Sequence, residues 1–198
     1  MSKSFPGDIE KARAAVRTLL EYIGENPDRE GLKETPDRVI RSFERLYGGY
    51  LQKPKDVLTF FEEDNVVPHD QIVLLKDIEL YSTCEHHMLP FVGHAHVAYI
   101  PRDKVVGISK LARIVEIYSR RLQIQERIGI EVANALMEEL DPYGAACIIE
   151  SKHFCMTCRG VEKQNSVMVT SSLRGAFLKN KDSRQELMTL VYGGHAHR

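Results

Sequence analysis

Two short clusters of cysteine and histidine constrain the fold of this chain more than any other feature of its sequence. The first is CEHH at residues 84–87, and the second is HFCMTC at residues 153–158. Each cluster directly follows a run of β-branched and aromatic residues, a composition typical of strands. Because two strand ends of one sheet can meet, the sequence predicts a sheet that brings the clusters together to share a metal ion.

The rest of the pattern predicts strands and helices that alternate in pairs. We expect helices at 8–25, from Thr35, from Ser109, at 124–140 and at 183–192, and strands at 71–82, 92–100, 145–153 and 166–171. Strand pairs separated by a helix pair indicate an α+β fold with an antiparallel sheet. Residues 1–70 are then an N-terminal helical extension and connector, and residues 71–198 form the main domain.

Charge and composition exclude several classes of protein. The formal net charge of -1 provides no basic field for nucleic acid or an anionic membrane. No apolar run is long enough to predict a transmembrane helix, and the first residues lack the apolar core of a signal peptide. We therefore expect a cytoplasmic protein in which the cysteines serve in the core, in metal binding or in catalysis. The four cysteines are Cys84, Cys147, Cys155 and Cys158.

The clusters are compatible with two kinds of zinc site. A closed, structural site would use four protein ligands, namely Cys84, His87, Cys155 and Cys158. An open, catalytic site would use three protein ligands and leave one position for water. The C-x-x-C spacing of the second cluster favours the closed site. The surplus histidines His86 and His153 favour the open one, since a structural site has no use for adjacent proton-transfer groups. The residues alone leave the two interpretations nearly equal.

Other residues near the predicted helix starts are suited to an anion and a base. Phosphate can bind at a helix N-terminus that carries basic side chains, and the candidates are Ser109, Lys110, Arg113 and, after the second cluster, Arg159. Glu126, beside Gln125, begins the next helix, and its carboxylate can accept both N–H groups of the Watson–Crick edge of guanine. Taken alone, Glu126 is better explained as a first-turn acid favoured by the helix dipole.

Several long segments together resemble one enzyme family, GTP cyclohydrolase I. The similarity extends over about residues 8–193, and the segments that carry it are ETPDRV, STCEHHMLPFVG, VAYIPRDKVVGISKLARIVEIYSRRLQIQERI, HFCMTCRGV and NSVMVTSSLRGAF. The resemblance implies the tunnelling fold, a β-β-α-α-β-β unit with an antiparallel sheet and helices on one face, here with an N-terminal helical extension. It also implies a homodecamer of two pentamers with active sites between subunits.

The resemblance assigns roles by position and favours the open metal site. It implies zinc ligands at Cys84, His87 and Cys155, and catalytic histidines at His86 and His153. It implies substrate-binding residues at Glu126, Gln125, Ser109, Lys110, Arg113 and Arg159, with Arg38 supplied by a neighbouring subunit. The implied reaction is the zinc-dependent hydrolysis of GTP at guanine C8, which gives formate and 7,8-dihydroneopterin triphosphate at the first step of tetrahydrofolate and pterin biosynthesis.

Two positions depart from the family pattern, and three other interpretations compete with it. Position 94 is often lysine in the family and is histidine here, and Cys158 is not a family ligand although it lies close to one. A zinc-stabilised nucleotide-binding module without catalysis would use the closed site, so chelation would unfold it. A nitrile reductase of the same fold would use a cysteine nucleophile and NADPH, but the pair His86-His87 beside Cys84 argues against it. A homologue without activity would have lost catalytic residues, and every matched one is present.

Overall fold

A computed structural model of the chain describes residues 4–58, 60–61 and 70–193. The N-terminal part contains helices α1 (Ile9–Tyr22) and α2 (Thr35–Leu46), followed by two 3₁₀ turns at Gly48–Leu51 and Pro54–Asp56. Asp8 is the N-cap of α1, because its carboxylate accepts hydrogen bonds from the backbone N–H groups of Glu10 and Lys11. Helix α2 begins at Thr35, and the preceding Glu34 occupies the N-cap position without a side-chain hydrogen bond to the helix backbone.

The chain then forms a small sheet and a large one. Strands β1 (Phe60–Phe61) and β4 (Val105–Val106) pair antiparallel in the small sheet. The large sheet has the order β5-β2-β3-β6-β7 and is antiparallel except for the short contact between β5 and β2. Its strands are β2 (Val73–Cys84), β3 (Pro90–Ile100), β5 (Leu122–Gln123), β6 (Gly144–His153) and β7 (Met168–Gly175). The predicted mixed α+β class is therefore confirmed.

Two helices that follow β3 cover one face of the large sheet. Helix α3 (Ile108–Ser119) and helix α4 (Gln125–Leu140) bury apolar side chains against the sheet in the larger of the two cores. On the helices this core includes Leu111, Ile114, Ile128, Val132 and Leu136, and on the strands Leu80, Phe91, Val97, Cys147 and Ile149. Cys147 is fully buried, and burial raises the pKa of its thiol to about 12, so it is a core residue.

The other face of the sheet is covered at one end by the C-terminal helices. After the short α5 (Phe154–Thr157) and β7, the chain forms α6 (Ala176–Lys179) and α7 (Lys181–Tyr192). Phe177, Leu187 and Val191 pack against Ala98 and Ile148 in a second core. Neighbouring strand residues point to opposite faces, which explains why Val97 and Ile149 belong to the first core and Ala98 and Ile148 to the second. Helices α3 and α4 lie on one face of the sheet, as expected, whereas α7 packs on the opposite face.

The register of the sheet brings three chain segments to the same end. Thr83 near the end of β2 lies opposite Pro90 at the start of β3, and Phe91 lies opposite His153 at the end of β6. The strands that precede the two Cys/His clusters therefore end on either side of the first residues of β3. This alignment fixes the position of the candidate site.

The N-terminal helices expose much of their apolar surface. No residue of α1 or α2 is buried in this chain. Leu19, Tyr22 and Ile23 are apolar residues of the segment predicted as a helix at 8–25, and they are exposed by 63%, 85% and 68%. Among the described residues, no helix combines the length and apolar character that would let it cross a bilayer.

Candidate active site

Three side chains from the two clusters form a compact group of metal-ligand atoms. A ligand atom from each of Cys84, His87 and Cys155 lies within 4.8 Å of the others. Cys84 ends β2, and the turn that follows is closed by hydrogen bonds from the N–H of Cys84 to the carbonyl of Leu89 and from the N–H of Met88 to the carbonyl of Cys84. Thiolate and imidazole are the ligands that zinc prefers, so the donor set fits this ion.

The electrostatics of the group also fit a cation. Cys84 is buried and Cys155 is half-buried. Burial, and then the neighbouring Cys84, raise the pKa of the Cys155 thiol, while Arg159 opposes the shift. Two adjacent thiols resist ionising together, and a bound cation removes that penalty because metal ligation requires the thiolate. Within the described part of the chain, this is the one group of three or more such residues whose ligand atoms are close enough for a metal ion.

Cys158 lies outside this group. It ends the single turn of α5, is exposed, and its thiol donates a hydrogen bond to the carbonyl of Phe154 at 2.8 Å. The C-x-x-C spacing therefore does not place the second thiol of this cluster among the ligand atoms. The geometry favours an open site with three ligands over a closed site with four.

His86 is exposed beside the metal group. It has 64% of its side-chain surface accessible, and its Nδ1 lies 3.8 Å from Sγ of Cys84, the same distance as Nδ1 of His87. The preceding Glu85 forms a bidentate ion pair with Arg127, with N–O distances of 2.5 and 3.0 Å. This hydrogen bonding lowers the pKa of Glu85. The pair connects the loop that carries the metal ligands to helix α4.

His153 is half-buried and has well-defined neighbours. Its ring stacks on Phe91 with centroids 4.5 Å apart and an interplanar angle of 6°. Its Nε2 lies 2.9 Å from Oε1 of Gln125, which is fully buried. Burial lowers the pKa of His153, and the nearby carboxylate of Glu126 partly offsets this effect. Glu126 at the start of α4 and His153 at the end of β6 are therefore neighbours, and His86 lies beside Cys84 at the end of β2.

The candidate phosphate-binding residues lie in three places. Arg159 lies beside the metal group, with Nη1 3.4 Å from Nε2 of His87. Ser109, Lys110 and Arg113 lie in the first turns of α3, whose N-terminus has no side-chain cap. The backbone N–H of Lys110 donates to the carbonyl of Gly107, so an anion would bind at the N–H groups before it. Arg38 is exposed on α2 and pairs with Glu34 at 2.7 Å. Among the described residues, no hydrogen bond or ion pair joins these α2 and α3 side chains to the metal group.

Glu126 faces an open groove between α4 and β7. The groove has a volume of about 560 Å³ and is also lined by Ile130, Thr170, Ser172 and Arg174. The carboxylate is exposed in this chain, so it can accept hydrogen bonds from a ligand. A planar base with two adjacent N–H groups would match the two oxygens of such a carboxylate.

Sequence reasoning missed three residues that shape the site. Arg127 holds Glu85, Phe91 stacks on His153, and Ser151 donates a hydrogen bond to Oε1 of Gln125 at 2.6 Å. Arg127 directly follows Glu126 in the sequence, but nothing in the local pattern indicates its partner. The other two contacts depend on strand register, which a sequence pattern specifies only loosely.

Comparison with known proteins identifies one family. The family model described as GTP cyclohydrolase I matches residues 12–192. The GTP cyclohydrolase 1 of Acetivibrio thermocellus is 54% identical over 187 residues, which cover 94% of this chain and 98% of the relative. That of Thermoanaerobacter pseudethanolicus is 53% identical over 185 residues, or 93% and 97% of the two chains. A solved structure of the archaeosine synthase QueF-Like in the apo form covers 53% of this chain and 94% of its own, at 18% identity and a TM-score of 0.44.

Proposed function

The chain belongs to the GTP cyclohydrolase I family, and we propose that it opens the imidazole ring of GTP at guanine C8 in a zinc-dependent reaction. The products are formate and 7,8-dihydroneopterin triphosphate, which places the enzyme at the start of tetrahydrofolate and pterin biosynthesis. The proposed zinc dependence is supported by the group of ligand atoms from Cys84, His87 and Cys155. The candidate catalytic histidines are His86, next to Cys84, and His153, two residues before Cys155. Release of formate from GTP by the purified, metal-loaded protein tests the proposal.

The three ligands would hold Zn²⁺ and leave one position open. A bound zinc ion acts as a Lewis acid and lowers the pKa of water toward about 7, so that a nucleophile is available at neutral pH. The protein's own contribution is to keep the ligand loop in place. The ion pair between Glu85 and Arg127 fixes that loop against α4, immediately beside Glu126.

The two histidines supply proton transfer in this proposal. His86 is exposed next to Cys84, so it can reach a bound base and protonate N7 of guanine as water attacks C8. Opening of the ring leaves a formamide, and a second hydrolysis releases formate. His153 is held more rigidly against Phe91 and would move protons near the ribose during the later rearrangement.

The phosphate-binding residues support a site completed by another subunit. Ser109, Lys110 and Arg113 offer cationic and hydroxyl groups at an uncapped helix N-terminus, which suits a triphosphate. Arg159 offers a further guanidinium beside the metal group. Because no hydrogen bond or ion pair joins the α3 residues or Arg38 to that group in the described part of the chain, we propose that they act across a subunit interface.

This arrangement agrees with a homodecamer of tunnelling-fold subunits. In the family fold, two strand pairs flank two helices, and the element order β2, β3, α3, α4, β6, β7 is compatible with it. The exposed apolar residues of α1 would be buried between subunits, because a contiguous apolar surface usually marks an interface. Sedimentation velocity is expected to show a decamer-sized species, and a monomer that releases formate at full rate would contradict the shared site.

Glu126 is expected to select guanine. Its two oxygens can accept from the N1–H and the 2-amino group, and a charge-assisted hydrogen bond contributes about 1.5–3 kcal/mol. We expect Glu126→Ala to raise KM for GTP by about tenfold or more and to remove the preference for GTP over inosine triphosphate, which lacks the 2-amino group.

Steady-state kinetics with both nucleotides measure this effect. Glu138→Ala is the matched control, since Glu138 is an exposed glutamate on the same helix. A Glu126→Ala enzyme that still prefers GTP as strongly as the wild type would remove Glu126 from guanine recognition.

A further inference from the structure

The buried amide of Gln125 has every polar atom engaged within the chain. Its side chain is 0% exposed. Its Nε2 donates toward the carbonyl oxygens of Ile149 and Met168, at 2.9 and 3.1 Å, and toward the hydroxyl of Thr170 at 3.1 Å. Assembly with other subunits can only bury this group further. A ligand would therefore reach it only if the packing of α4 on the sheet were opened.

These contacts fix which end of the amide faces His153. Two backbone carbonyls surround the nitrogen, and carbonyls only accept hydrogen bonds, so the amide cannot be flipped without losing both donations. The oxygen Oε1 must then point the other way. There it accepts from the hydroxyl of Ser151 at 2.6 Å and lies 2.9 Å from Nε2 of His153.

The same contact fixes one hydrogen of the imidazole. An amide oxygen can only accept, so Nε2 of His153 must carry a hydrogen whether the ring is neutral or charged. The stack on Phe91, 4.5 Å between centroids and 6° from parallel, holds the plane of the ring. Nδ1 is then the one ring nitrogen that can exchange a proton with a bound molecule.

We propose that Gln125 is a positioning residue that directs Nδ1 of His153 toward the substrate and does not itself contact GTP. The inference rests on the catalytic role proposed above for His153. It changes the role that family resemblance implies for Gln125, from binding the nucleotide to orienting the group that transfers its protons. Removing a partner that orients a metal-bound histidine typically costs about 10- to 100-fold in metal affinity or activity, and we expect the same range for a partner that orients a catalytic histidine.

The kinetic test replaces Gln125 with an apolar side chain of similar length. Gln125→Met is expected to lower kcat for GTP by about 10- to 100-fold with KM and bound zinc unchanged. A substrate-binding residue would instead raise KM, as expected for Glu126→Ala. A rise in KM of Gln125→Met at unchanged kcat, or no change in either constant, would overturn the inference.

Ser151→Ala is the matched control for packing. It removes the other donor to Oε1 of Gln125 and leaves the bond to His153 in place. Its kcat is expected to fall less than that of Gln125→Met. Equal losses in the two variants would show that disruption of the buried network, and not the orientation of His153, causes the effect.

If Gln125→Met fails to fold, a measurement on the wild-type protein tests whether Gln125 orients His153. Neutron diffraction from deuterated crystals locates the hydrogen of His153 directly, and we expect it on Nε2, directed at Oε1 of Gln125. A ring that carries its hydrogen only on Nδ1 would contradict the inference. This result does not depend on activity, whereas absence of formate release from the wild type would contradict the proposed function alone.

Discussion

Replacing His86 with asparagine is expected to reduce formate release from GTP by about 10²- to 10⁴-fold while the metal stays bound. This range is the usual contribution of a positioned general acid or base. Asparagine retains a hydrogen-bonding side chain but cannot transfer a proton at neutral pH. His86 is suited to this role because its ring is largely exposed beside the metal group.

The result also separates a catalytic role for His86 from a ligand role. Nδ1 of His86 and Nδ1 of His87 lie at the same 3.8 Å from Sγ of Cys84, so this distance alone does not distinguish them. What distinguishes them is that His87 also approaches Cys155 closely enough to complete the metal group. Loss of zinc from His86→Asn, measured by metal analysis, would mean that His86 is a ligand.

His94→Asn is a matched control for His86→Asn. His94 is an exposed histidine on β3 that lines a groove with Glu79, Glu150 and Lys152, and no residue of the metal group lines this groove. We expect this variant to keep both its zinc and nearly all of its activity. A comparable loss in the two variants would point to a general sensitivity of the sheet, and not to proton transfer by His86.

The second large effect is expected from the two cysteines of the turn that follows β6. Cys155→Ser should lose its bound zinc and all measurable formate release, because a three-ligand site has no spare thiolate. Cys158→Ser should keep one zinc per chain and near wild-type activity, because the Cys158 thiol donates to the carbonyl of Phe154 and lies outside the metal group.

The pair of serine variants distinguishes the open site from the closed one. Both substitutions exchange one sulfur for one oxygen within the same short segment, so the two variants are matched in the size and chemistry of the change. Metal analysis after gel filtration gives the zinc content, and thermal unfolding with and without chelator reports the structural contribution of the metal. Loss of zinc from Cys158→Ser, with unfolding of the wild type on chelation, would support a closed structural site.

Local patterns in the sequence predicted the elements that carry the site. The two Cys/His clusters follow β2 and β6, and the sheet register brings their strand ends together as the shared-ion hypothesis required. The end of β2 was predicted at residue 82, and the strand continues to Cys84. The polar residues at the end of the strand conceal its length, because pairing with β3 and β5, and not composition, keeps Thr83 and Cys84 extended.

The side-chain contacts within the candidate site could not be predicted from the sequence. The amide of Gln125 contacts Ile149, Ser151 and His153 because α4 packs directly on β6, a contact between segments that are distant in sequence. A local pattern describes Gln125 only as the first residue of a helix. For α1, the spacing of apolar residues predicted the helix correctly. It did not indicate which surface covers those residues, and none of them is buried within this chain.

The most direct test of this account is the release of formate from GTP by the purified wild-type protein in three states: as loaded with zinc, after removal of the metal by a chelator, and after zinc is restored. We expect formate from the loaded protein, none after chelation, and recovery when zinc is returned to a chain that has remained folded. Absence of formate from the fully zinc-loaded protein would contradict the central claim that Cys84, His87 and Cys155 form a catalytic metal site.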